Sequence, residues 1–205
     1  MPRPRADALR NRERIVSAAR EMFVEFGSQV PLDEIARRAG VGNATVYRHF
    51  ADRTELVREV VCSVMDRISA AAERSIAEEP DAFQALRGFV NTAADERIGA
   101  LCPMLSDTFD RNDPDLLAAR QRLERLVEEL MERARESGQL RDGVAVGDLM
   151  VALSQLTRPL PGTACLDIDR FVHRHLQLFM DGLQAPARSE LPGTAATLED
   201  LRRHG

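Results

Sequence analysis

The sequence contains no tryptophan, a single tyrosine (Tyr47) and no lysine in its 205 residues. With so few large aromatics, a ligand site built mainly on stacking is disfavoured. Every fixed side-chain cation is an arginine, which reads as the codon bias of a GC-rich genome rather than as phosphate chemistry. Cysteine is scarce: Cys62, Cys102 and Cys165 are odd in number and far apart. That excludes a disulfide framework and a cysteine-based metal site, and leaves reduced, mostly buried thiols of a cytosolic protein. No apolar run follows the arginine-rich start, so no signal peptide is read. The longest uncharged stretches, such as Leu149–Thr157, are too short to span a bilayer. The expectation is a soluble, cytoplasmic chain with no membrane contact.

Catalytic patterns are missing too. Gly40-Val41-Gly42 could open a dinucleotide fingerprint, but a third glycine and a preceding strand are absent. His173 and His175 are two apart, so on a helix they point to different sides, whereas metal pairs need spacings of three or four. No nucleophile elbow, paired carboxylates or phosphate loop is present. No metal or cofactor is expected, and an enzyme is disfavoured.

What is present is unevenly distributed. The net charge is −5, with 30% charged and 44% hydrophobic residues. Residues 1–60 carry 11 Arg against 9 Asp and Glu, while residues 61–205 carry 17 against 24. Arg3, Arg5, Arg10, Arg12 and Arg14 concentrate the positive charge at the start. A small basic head on an acidic body suits a protein that presents one end to nucleic acid.

The hydrophobic pattern has helical period throughout, with no alternating stretch and no internal repeat. Leu9, Ile15, Ala18, Ala19, Met22 and Phe23 mark a first helix ending near Gly27, with its leading arginines free to reach a phosphate backbone. Pro31 opens a second helix. Asp52 with Glu55 reads as a capping box for a long helix through Leu56, Val60, Val64 and Ile68. Asp81 opens another, Pro103 breaks the region 98–109, and Asp113-Pro114 is a strong start signal for a helix ending at Ser137-Gly138. Further helices follow around Leu149–Leu156 and Ile168–Leu183. The class is all-α, about nine helices: a head over 1–51, a larger helical domain over 52–185 and a mobile tail over 186–205.

The stretch Asp33–Phe50, DEIARRAGVGNATVYRHF, carries the functional signal. Ile35, Ala36 and Ala39 define a short helix that Gly40 can end in the left-handed conformation. A second helix restarts at Asn43, with Val46 and Phe50 facing inward. Asn43, Thr45, Tyr47, Arg48 and His49 then point largely outward, all able to hydrogen-bond phosphates or base edges. This is the pattern of a helix-turn-helix and its recognition helix.

PLDEIARRAGVGNATVYRHFADRTELV resembles the N-terminal signature of the TetR family of bacterial transcriptional regulators, and ERIVSAAREMFVEFG is similar to that family's first helix. The motif covers residues 12–60, about a quarter of the chain. The resemblance implies a ligand-responsive regulator, most simply a repressor. Such a protein is a homodimer that binds a palindromic double-stranded DNA operator and is released by a small-molecule effector. Activation or corepressor dependence stays open, and a helical ligand carrier or enzyme without DNA binding is the rival. Carried over by motif, Asn43 and Ala44 start the recognition helix where bases are read. Thr45, Tyr47 and His49 match phosphate-gripping positions, and Arg53 matches the basic residue just after the motif. Arg48 falls at a variable position and is the candidate for a bidentate guanine contact. Gly42 stands where the family often has a Ser or Thr cap, and Asn43 replaces a commoner basic residue. The family also implies a ligand pocket in the body, assigned to Phe89, Met104, Phe109 and Met150. Its dimer interface on the last helices is assigned to Phe171, Val172, Leu176 and Phe179.

Overall fold

The computed structural model describes residues 4–101, 113–158 and 168–202, and all regular structure among them is helical. Ten segments follow in order: α1 Pro4–Phe26, α2 Leu32–Ala39, α3 Asn43–His49, α4 Arg53–Glu78 and α5 Ala82–Asp95. Then come α6 Ile98–Leu101, α7 Pro114–Glu136, α8 Val146–Leu156, α9 Ile168–Leu183 and α10 Leu198–Arg202. The all-α class is as expected, with α6 and α10 only a turn or so long. Cys102, Met104, Phe109 and Cys165 lie outside the described residues.

The capping chemistry explains most boundaries. Asp52 accepts the Glu55 amide at 2.8 Å to start α4, while the Glu55 carboxylate takes the Ala51 amide at 2.7 Å. Asp81 accepts the amides of Phe83 and Gln84, and Asp113 those of Asp115 and Leu116. Each such cap satisfies amides that the first turn leaves without a partner. The same bonds hold the Asp81 carboxyl below its ordinary range, led by the Gln84 amide. Pro31 sits one position before α2 rather than inside its first turn.

The three head helices pack Ile15, Phe23, Ile35, Val46 and Phe50 into one centre, and Leu56 and Val57 of α4 join it to the body. In the body, α4, α5 and α7 lie against one another around Ile68, Phe83, Leu86, Phe89, Leu130 and Met131. Fully burying one such side chain contributes roughly 1.5–3 kcal/mol. α8 and α9 close the far side, with Leu149, Leu153, Val172, Leu176 and Met180 turned inward. Leu9 is an exception to its stripe, standing 63% exposed on α1.

The segment expected as a mobile tail is held to the body at Ser189 and Ala196, and the chain leading into it is held as well. The Arg141 amide donates to Leu183 O and the Ala185 amide to Gln139 O, each at 2.9 Å. The buried Arg141 guanidinium also donates to the carbonyls of Gly182 and Ser189. Further on, Asp148 accepts the Ala196 amide at 3.1 Å, so the tail crosses the start of α8. Polar groups outside the tail thus give its backbone partners that a disordered extension would find only in water.

Candidate nucleic-acid interface

The α2–α3 turn sets the exposed surface of the head. Gly40 adopts φ 63°, ψ 38°, and the Val41 amide reaches back to Ala36 O at 3.0 Å, ending α2 with two recaptured carbonyls. A side chain at Gly40 would also strike the Arg14 guanidinium, 2.7 Å from an ideal Cβ. Gly42 then starts α3 with no side-chain cap. This seven-residue helix is too short to persist alone, so its orientation comes from Val46 and Phe50, both fully buried.

With that face inward, Asn43, Ala44, Tyr47 and Arg48 stand exposed, and Thr45 and His49 are half-buried beside them. Tyr47 is 54% exposed, far more than packing would leave it. Arg48 folds back along its own helix: Nε donates to Ala44 O at 3.2 Å and Nη2 reaches Thr45 Oγ1 at 3.5 Å. These contacts are long and solvent-facing, so they are easily exchanged for other acceptors.

The arginines around this helix are used differently from the sequence expectation. Arg12 is not free: Nη1 donates to His49 O at 3.1 Å and Nη2 pairs with Glu59 at 2.9 Å. Its guanidinium also lies over the Phe50 ring, 4.5 Å from the centroid. One side chain of α1 thus binds the last carbonyl of α3, where a cation suits the helix dipole, and ties it to α4. Arg14 donates to Gly40 O, and Arg10 pairs with Asp7. Arg53 turns one nitrogen to Ser28 O and Val30 O at 2.8 and 2.5 Å, bracing the α1–α2 loop. Apart from the local Arg10–Asp7 pair, no sequence pattern signals these ties, because each partner is a carbonyl, carboxylate or ring distant in the chain.

Two family models match the chain. The model described as bacterial regulatory proteins of the tetR family matches residues 15–60. The model described as the C-terminal domain of SbtR-like transcriptional regulators matches residues 79–185, more than half the chain. The chain belongs to the TetR family. Among solved structures of that family it is similar to a TetR transcription regulatory protein from Mycobacterium vanbaalenii. There the identity is 30% and the TM-score 0.63, covering 88% of this chain and 98% of that one. It also resembles the TetR regulator SCO0520 of Streptomyces coelicolor at 28% identity and TM-score 0.65, covering 86% and 99%. Similarity to the HTH-type transcriptional regulator SrpR of Pseudomonas putida is 46% over 59 residues. It spans only 28% of this chain and 28% of that protein.

This TetR-family regulator therefore carries its helix-turn-helix on α2 and α3, with α4 as the link to the body. The other assigned positions divide. Phe89 is fully buried core on α5, and Met150 is half-buried on α8. The body shows a cleft of about 170 Å³ lined by neither; its walls are Ala94, Asp95, Arg97, Thr157, Val172 and His173. On α9 the supposed interface stripe splits. Val172 and Leu176 are buried within the chain, Phe179 is partly buried, and Phe171 faces outward with Leu178. The reason is helical phase: Val172, Leu176, Met180 and Leu183 form the inward row, one turn apart. No helix among the described residues is long and apolar enough to cross a membrane.

Proposed function

We propose that this regulator is a repressor that binds a two-fold symmetric DNA operator as a homodimer. A small molecule entering the body releases it. The observation that carries the reading is the outward row on α3, where Asn43, Ala44, Tyr47 and Arg48 stand exposed on a helix whose inward side is held through Val46, Phe50 and the Arg12 bond to His49 O. In this reading Tyr47, Thr45 and His49 hold phosphates. Asn43 and Ala44 meet base edges, Arg48 unfolds from Ala44 O to reach guanine, and Arg53 keeps its remaining nitrogens for the backbone. Two recognition helices in successive major grooves must sit about 34–36 Å apart. An effector that changes that separation removes the advantage of binding both half-sites together.

Selection of bound duplexes from a random pool should return an inverted repeat. On that duplex Tyr47→Ala should weaken binding at least tenfold, about 1.4 kcal/mol, with an unchanged melting temperature, since the side chain packs against little. Arg48→Ala should relax base preference at one position per half-site by about 1–3 kcal/mol. A Tyr47→Ala variant that binds as tightly as the parent contradicts the placement of α3 on DNA.

A further inference from the structure

We infer that Glu96 is a positioning residue for DNA binding: it locks the angle of the head by holding α1 and α4 to the turn between α5 and α6. This rests on the paired-operator reading above and names how the head is held in register. Glu96 Oε2 accepts Arg20 Nη1 of α1 and Arg67 Nη2 of α4, each at 2.8 Å. The carboxylate is only 16% exposed and the Arg20 side chain 25%. The Arg20 Nε is buried without a hydrogen-bond partner, so this guanidinium depends on Glu96 for its compensation. Exposed ion pairs contribute little, but a partly buried carboxylate shared by two guanidiniums resists separation.

The position of Glu96 argues that this contact is its role. It follows the last residue of α5, where the helix dipole disfavours a negative charge. That local cost is offset by the two cations from other elements. The next residue, Arg97, takes a left-handed backbone at φ 57°, uncommon for a residue with a side chain. The chain is thereby turned abruptly between the Glu96 contact and α6.

The rest of the turn is fastened to the other end of the body. Asp95 Oδ1 meets His173 Nε2 of α9 at 3.0 Å. The Gly99 amide donates to Thr157 Oγ1 at 2.8 Å, just past α8, in a crossing so close that a Cβ on Gly99 would collide with that oxygen. Five consecutive residues thus grip α8 and α9 with their first and last members, and α1 and α4 with Glu96. A shift of the last two helices pulls on the same short turn that holds Arg20, a residue 76 positions away in the head.

The test uses full-length protein and the selected inverted repeat, with the spacing between half-sites changed by one to three base pairs. Wild type should discriminate sharply between spacings, because only one head separation fits. Glu96→Gln keeps the shape and removes the charge. It should lower the affinity ratio between the best and the lengthened spacing by about tenfold, with helical content and dimer content held even where the melting temperature falls. Arg20→Met, approached from the other partner, should flatten the profile alike, and the double variant should be no flatter than either single one. Equal loss at every spacing would mark a merely structural role and overturn the inference. So would a Glu96→Gln profile parallel to wild type, or additive losses in the double variant. A wild type that ignores spacing would instead overturn the paired-site reading itself, and the inference with it.

Discussion

Cys62 lies one helical turn after Arg58 on α4, partly covered by the body. Burial pushes its thiol up to about 11, outweighing Arg58, which lowers it, and joined by Asp113, Asp66 and Glu59, which raise it. The folded value therefore stands above the ordinary 9.0. The unfolded chain loses this proton first as pH rises, so the group's contribution to stability is whole below pH 9 and declines toward about 11. At neutral pH the thiol is protonated and a poor nucleophile. Iodoacetamide should modify Cys62 slowly at neutral pH, as followed by peptide mass mapping, with a rate rising steeply only above pH 9. Half-maximal reactivity near or below neutral pH would contradict this and point to a reactive thiolate. A basic neighbour, Arg58, does stand close to the thiol, so burial rather than the lack of a cation keeps Cys62 unreactive. The outward residues of α3 were legible because polar groups on a short helix obey a period that the sequence displays. Arg12 was not, since its bonds to His49 O, Glu59 and the Phe50 ring depend on how three helices cross.

At the scale of elements, boundaries set by local chemistry were readable in advance: Asp52, Asp81 and Asp113 cap the helices they were expected to cap. The docking of the tail was not legible, because proline, glycine and scattered polar residues look the same in a loose extension and in a docked strap. What docks it lies elsewhere in the chain. Asp148 divides its carboxylate, one oxygen taking the Ala145 amide at 2.9 Å and the other the Ala196 amide at 3.1 Å. The Ala196 carbonyl lies where a Cβ on Gly147 would stand, so only glycine admits the strap. Asp148→Ala removes both bonds and should cost about 1–2 kcal/mol, seen as a melting temperature lower by several degrees. Trypsin should then cut at Arg188 faster than in wild type. Unchanged cleavage at Arg188 would mean that Asp148 caps α8 without holding the tail.

For the whole molecule, the question is what covers the outward side of the last two helices. Within one protomer, Val172, Leu176, Met180 and Leu183 already serve the core, so they are unavailable to a second copy. Phe171 and Leu178 remain 55% and 59% exposed on α9, and Val151 is 42% exposed on the neighbouring α8. They are a costly set to leave in water, and a two-fold related pair of such helices would bury them as a four-helix face. A stable interface needs about 800 Å² per partner, more than three side chains provide, so the flanking Arg174, His175 and Gln177 would form its polar rim. Leu178→Glu should then give a folded monomer by sedimentation, with a melting temperature that no longer depends on protein concentration and a lower affinity for the paired operator. Leu176→Glu addresses the opposite side of the same helix, where the parent side chain is 1% exposed. It should unfold the body, because a buried, unpaired carboxylate has no compensation there. A Leu178→Glu protein that stays dimeric at micromolar concentration would move the interface off this face. If Leu176→Glu folded normally while Leu178→Glu did not, α9 would have to be turned about its axis, with Leu178 inward and Leu176 facing the partner.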